Sequence, residues 1–245
     1  MRKEQKLNKK LQNIILAVSI LIPFGFNLSG MKSELGQASI MYSILWAIIN
    51  YLFIMTAVDF TSKFNKILKL PGLKIRKRTY YINIIVYIGF LIFVNIYFLQ
   101  QIYLRNVEII NTLASPIILI GLFLLFLYNM QNGKFPKKEE KETDIYEISK
   151  KSSFRDGKDR LGTVVGSYDK GLVIGNYYFP YENMKSISKS KDEEIMIKGR
   201  EDSKNYIIKI GSLNSANQTI IELNNALNEG KIDEKKINLK KIKNF

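Results

Sequence analysis

Four windows of this chain carry no charged residue, and that limits its fold more than any other feature. They lie between Lys10 and Lys32, Glu34 and Asp59, Arg78 and Arg105, and Glu108 and Lys134. Each holds at least the roughly 20 helical residues that cross a hydrocarbon core. Backbone N–H and C=O groups find no water in lipid, so such segments must close their hydrogen bonds internally, as helices. The expectation is an α-helical membrane domain of four transmembrane helices over residues 1–132, with spans at about 11–28, 38–58, 80–99 and 113–130.

The connections set the expected orientation. The N-terminal stretch offers Arg2, Lys3, Lys6, Lys9 and Lys10 against Glu4. The middle connection carries Lys63, Lys66, Lys69, Lys74, Arg76, Lys77 and Arg78 against Asp59, whereas the other two hold only Lys32 with Glu34 and Arg105 with Glu108. Lysine and arginine resist translocation, so the basic segments are expected inside, with both termini cytoplasmic at a bacterial cytoplasmic membrane. Tyr42, Tyr103, Tyr80, Tyr81 and Tyr128 sit where an interfacial aromatic belt would fall. A basic start before an apolar run also describes a signal peptide. The stretch IILAVSILIPFGFNLSG exceeds the roughly 7–15 residues of a signal core and lacks an A-x-A-like site, which favours an uncleaved helix.

The formal charge of +15 raises nucleic acid as a partner. The excess is concentrated in segments expected against the inner leaflet, where anionic lipids favour each Lys or Arg by about 1 kcal/mol. Lys74, Arg76, Lys77 and Arg78 are the candidate anionic-lipid contacts, and no nucleic acid is expected. The chain has no cysteine and no histidine. Disulfides, thiolate nucleophiles and cysteine-based metal sites are excluded, and so is every Ser-His or Cys-His arrangement. The carboxylate pairs Glu139–Glu140 and Glu193–Glu194 have no partner suggesting acid–base work, and Gly162-x-x-x-Gly166 is no nucleotide fingerprint. A non-enzymatic protein without a cofactor is expected. The lysine-, asparagine- and isoleucine-rich composition resembles that of AT-rich bacterial genomes.

Within the spans the polar residues are Ser19, Ser43, Asn50, Thr56, Asn83, Asn95 and Gln100. No charge lies near a midplane, which argues against an ion or proton carrier. Asn50 and Asn95 are the deepest amides and are expected to form interhelical hydrogen bonds. Beyond the second span, Phe60, Phe64, Ile67 and Leu68 recur at helical spacing opposite Lys63, Lys66 and Lys69, a short amphipathic extension suited to the headgroup region. Pro71-Gly72 ends it.

Residues 133–143 read as a polar linker, and the period then becomes strand-like. Short strands are expected around 145–148, 163–168, 172–174, 177–179, 185–188, 194–198 and 206–210, antiparallel where one face alternates apolar residues. Gly175-Asn176 is a two-residue hairpin signal. Ala216, Ile220, Leu223 and Leu227 trace a helical stripe that Gly230 terminates. Six or seven strands and one C-terminal helix over 144–230 imply a small, mainly β-domain, a barrel or curved sheet plugged by that helix. Residues 231–245 form a basic tail, expected to be disordered or to lie on the membrane.

The run GLVIGNYYFPYENMKSI (residues 171–187), followed by two strands and an amphipathic helix, resembles bacterial PH-like domains. It is similar to the cytosolic tails of YcxB-like membrane proteins, with Tyr181-Glu182 standing where a Trp-Glu pair is frequent and Ile187 at the following apolar site. The resemblance implies a PH-like fold and a binding role, with Tyr177 and Tyr181 as a partner surface. Lys150, Lys151, Arg155, Lys158 and Arg160 resemble a lipid-binding loop, though Ser152, Ser153, Asp156 and Asp159 interleave with them. The expected function is an anchor, scaffold or regulator presenting this domain at the inner leaflet to a protein partner. The alternatives are a small oligomeric transporter or channel, or a bacterial immunity or defence component.

Overall fold

The computed structural model describes residues 9–28, 33, 35–104, 107–131, 135–148, 164–189 and 194–237. The basic run at 150–160 and the last residues, 238–245, lie outside this set. The chain divides into two compact units: one contains Lys63–Tyr81 and Asn129–Phe245, the other Glu4–Ser62 and Ile82–Tyr128.

Among the described residues, three helices are long and apolar enough to cross a membrane: α1 (Lys9–Leu28), α2 (Ala38–Leu68) and α3 (Lys77–Tyr103). The amphipathic extension expected after residue 58 is continuous with α2. Its apolar stripe is not left for lipid, because Phe60, Phe64 and Ile67 are all buried in protein. The fourth uncharged window holds two helices, the second of which covers most of the expected span at 113–130. A short helix, α4 (Glu108–Leu113), precedes α5 (Pro116–Gln131), whose 16 residues fall short of the other three. Pro116 is the cause: its ring disfavours helical geometry at Ser115 and supplies no N–H, so it starts a helix and cannot continue one.

In the unit containing α1, the packing is aromatic. The Trp46 ring lies between Phe26 and Phe98, at centroid separations of 6.0 and 5.8 Å and nearly parallel to both. Asn50, fully buried on α2, donates to Asn95 of α3 at 3.0 Å and accepts from it at 2.8 Å. Trp46 Nε1 donates to the same Asn95 oxygen at 2.8 Å, and Asn95 also donates to its own helix at Leu91. Every polar atom of the Asn95 side chain is thereby used, as a buried amide requires.

The described residues of the β-region form eight strands: β1 (Lys137–Glu139), β2 (Thr143–Ile148), β3 (Val165–Tyr168), β4 (Gly171–Ile174), β5 (Tyr177–Pro180), β6 (Met184–Lys189), β7 (Ile195–Glu201) and β8 (Lys204–Ile210). They form two sheets, ordered β1-β2-β8-β7-β6 and β3-β4-β5. The strand expectations are matched closely, with three differences. β1 arises within the expected linker. β2 pairs with β8 in parallel, from Thr143 opposite Asn205 to Ile148 opposite Ile210. The expected tail is ordered as far as residue 237.

Alternation decides which face is buried. Ile195 and Ile197 of β7 and Tyr206, Ile208 and Ile210 of β8 point into one core. Leu172, Ile174 and Phe179 enter it from the smaller sheet, and Ala216, Leu223 and Ala226 from α6 (Leu213–Asn228). Ile232 and Ile237 close it, and Ile237 bridges in parallel to Ile187 of β6. The segment therefore covers a sheet edge that would otherwise be open.

Candidate functional site

The connection between α2 and α3 folds as part of the β-domain. The sequence around it, Leu73-Lys74-Ile75-Arg76, alternates apolar and basic residues, a strand pattern in a stretch assigned to a loop. Lys74 N donates to Ser167 O at 2.8 Å and Ser167 N donates back to Lys74 O at 3.1 Å, an antiparallel bridge that adds the connection to the free edge of β3. Asp169 N donates to Pro71 O at 3.0 Å just before it. This approach needs Gly166, since a Cβ there would collide with the Lys74 carbonyl oxygen and the Ile75 side chain.

A second set of contacts holds the β4–β5 turn. Gly175 takes φ +58° at the first turn position, as a II′-type hairpin requires. Its carbonyl accepts a hydrogen bond from the buried hydroxyl of Tyr80, in the first turn of α3. Tyr80 stacks on Phe64 of α2 with centroids 4.3 Å apart and planes within 8°, and it also meets Phe135 at 5.6 Å. Lys63 Nζ lies 5.8 Å from the centre of the Tyr177 ring, within cation–π range. The turn thus sits among the end of α2, the start of α3 and residues 135–136.

These contacts redistribute the candidate residues. Lys74, Arg76, Lys77 and Arg78 are all exposed. Lys74 also lines a small cleft with Asp169, Tyr181, Glu222, Glu229 and Lys231. The Glu229 carboxyl is held below its ordinary range, chiefly by a hydrogen bond from Lys231 and in part by the Lys74 charge. The cleft encloses about 30 Å³, room for a water or two and too little for an organic ligand. Tyr181 is only 4% exposed and belongs to the core, so it offers no partner surface. Its hydroxyl is pushed up first by burial and then by the Glu222, Glu229 and Tyr168 charges. Tyr177 is half-buried against Tyr146 and Lys63. Exposed side chains of the larger sheet include Lys185, Lys198 and Arg200.

Asn50 and Asn95 meet each other across α2 and α3, as described above. An apolar groove of about 360 Å³ between α1 and α2 is lined by residues such as Leu16, Ile44 and Ile48. The groove lining is apolar apart from Tyr51. Among the described residues, no group of three carboxylates is placed to hold a metal. Tyr80, expected in an interfacial aromatic belt, is instead fully buried in protein, where it holds the Gly175 turn. The sequence marks Gly166 only as part of a spacing that is no nucleotide fingerprint and gives Ser167 no role, though the alternating Leu73–Arg76 pattern is a legible signal for their partner strand. The chain matches no family model, curated protein or solved structure.

Proposed function

We propose that this protein is a four-span protein of the bacterial cytoplasmic membrane that holds a non-enzymatic, PH-like binding domain against the inner leaflet, as an anchor, scaffold or regulator. One observation carries the reading. The α2–α3 connection and the β-domain are joined by the Lys74–Ser167 bridge and the Tyr80–Gly175 hydrogen bond, so they share one side of the membrane. The basic residues of that connection favour the cytoplasmic side.

The same contacts support a fourth crossing. On this reading α3 takes the chain away from this side, and a crossing between Tyr103 and Phe135 brings it back. α5 is the apolar helix in that interval. Its 16 residues span about 24 Å against a core of about 30 Å. Local thinning of the bilayer absorbs a shortfall of that size. Arg76, Lys77 and Arg78 supply the anionic-lipid contact, and the outer face of the larger sheet is left open to a protein partner.

The chain has no native cysteine, so single-cysteine labelling tests the reading directly. Lys69→Cys and Lys198→Cys are expected to react with an impermeant maleimide only in inverted vesicles, and Glu108→Cys only in right-side-out cells. Labelling of Lys198→Cys from outside the cell would refute it. Photocrosslinkers at Lys198 and Arg200 then ask for the partner, and a single recurrent protein adduct is the expected result.

A further inference from the structure

We propose that the clamped connection senses leaflet charge: anionic lipid headgroups gathered at Lys69, Arg76, Lys77 and Arg78 stabilise the clamp and, through it, the β3–β4–β5 sheet. The inference rests on the reading that this unit lies at the inner leaflet, and it adds a regulatory input to that site.

Three observations carry it. Residues 60–81 contain no acidic side chain, so the connection has no internal counterion of its own. Two of its cations are directed at the β-domain: Lys63 lies over Tyr177, and Lys74, though exposed, lines the cleft holding Glu229. Lys66, Lys69, Arg76, Lys77 and Arg78 are also exposed, and the last four flank the bonded stretch from Pro71 to Lys74 most closely. Finally, the backbone is pinned at Pro71 and Lys74, and the side chain of Tyr80 is held at Gly175. The closed clamp therefore fixes Lys69, before Pro71, relative to Arg76, Lys77 and Arg78, after Lys74, and opening it frees these like charges to separate. A leaflet rich in anionic headgroups removes their repulsion and favours the closed form, because a ligand stabilises the state it binds better. The residues bonded to the connection are Ser167, Asp169 and Gly175, so β3 and the β4–β5 turn are the strands that respond.

The test is amide exchange on the full chain in nanodiscs of phosphatidylcholine alone and in discs rich in phosphatidylglycerol. Exchange over residues 69–76 and 164–179 is expected to be about threefold to tenfold slower in the anionic discs, consistent with cation engagement at the surface. The difference is expected to vanish at high salt, which screens exposed charges. It should also vanish in the combined Lys69→Gln, Arg76→Gln, Lys77→Gln, Arg78→Gln variant, with β7–β8 exchange unchanged as a control for folding. Tyr80→Phe should shrink the response of residues 164–179 while leaving the four cations in place. Equal exchange in both discs would overturn the proposal, as would a slowing that survives the fourfold substitution. Inorganic phosphate producing the same slowing in neutral discs would also overturn it, by assigning the site to a free anion. Failure of the underlying topology would show separately, as Lys69→Cys and Lys198→Cys labelling from opposite faces.

Discussion

Lys74 and Ser167 exchange both of their backbone hydrogen bonds, Lys74 N to Ser167 O at 2.8 Å and Ser167 N to Lys74 O at 3.1 Å. A segment between two apolar helices thereby becomes an edge strand of a distant sheet. The pairing hides part of the β3 edge, and it leaves no room for a side chain at Gly166.

Gly166→Ala is therefore expected to open the clamp. Overpacking against backbone costs about 1–3 kcal/mol. Limited proteolysis of the full chain should cut the connection after Lys69 or Lys74 much faster in the variant. Tyr80→Phe, which removes one hydrogen bond, should show a smaller increase.

The Asn50–Asn95 pair is expected to hold α2 against α3 by about 0.6–2 kcal/mol. Asn95→Leu removes the shared acceptor and leaves Trp46 Nε1 and the Asn50 amide unpartnered, so it should cost more than Asn50→Leu. A double-mutant cycle, read by unfolding of the full chain in mixed micelles, should give a positive coupling energy. Strict additivity of the two single changes would mean the pair contributes nothing.

Ile237→Ala should destabilise the β-domain by about 2–4 kcal/mol, the usual cost of truncating a buried isoleucine. Ile237 is 5% exposed and bridges to Ile187, so the change both leaves a cavity and loosens the cover over β6. The expected signs are a lower midpoint in urea and increased aggregation through the uncovered edge.

Tyr181 gives a pH signature. Its hydroxyl ionises less readily in the fold than in the unfolded chain, chiefly because it is buried. A group raised in this way contributes stability that is complete below its unfolded value, about 10, and is lost as pH rises beyond that. The thermal midpoint should fall between pH 9 and 11, values spanning the ordinary tyrosine range, and fall less in Tyr181→Phe. Parallel curves for the two proteins would contradict the assignment.

Much of this architecture was legible locally. The uncharged windows marked the long helices because a missing charge in a run of apolar residues needs no tertiary information to detect. Ile195, Ile197, Ile208 and Ile210 marked their strands by period, and Gly175-Asn176 marked its turn. Asn50 and Asn95 could be flagged as interhelical amides because an amide in hydrocarbon must find a partner. The candidate surface was less legible. Tyr177 and Tyr181 stand in a hairpin and a turn, where sequence alone suggests exposure, yet Tyr181 faces the core.

Periodicity, charge and turn chemistry act over a few neighbouring residues, so most elements and their order can be read along the chain, β1 and the strand-like stretch at Leu73–Arg76 excepted. That β2 runs parallel to β8, that Ile232 and Ile237 complete the core, and that Lys74 pairs with Ser167 are outcomes of long-range packing. Those outcomes depend on which distant edges and apolar faces meet. A free strand edge is satisfied equally well, bond for bond, by many segments, and the choice is made by shape: a glycine at Gly166 where the backbone must come close, and an aromatic socket at Tyr80 where the Gly175 turn must fit.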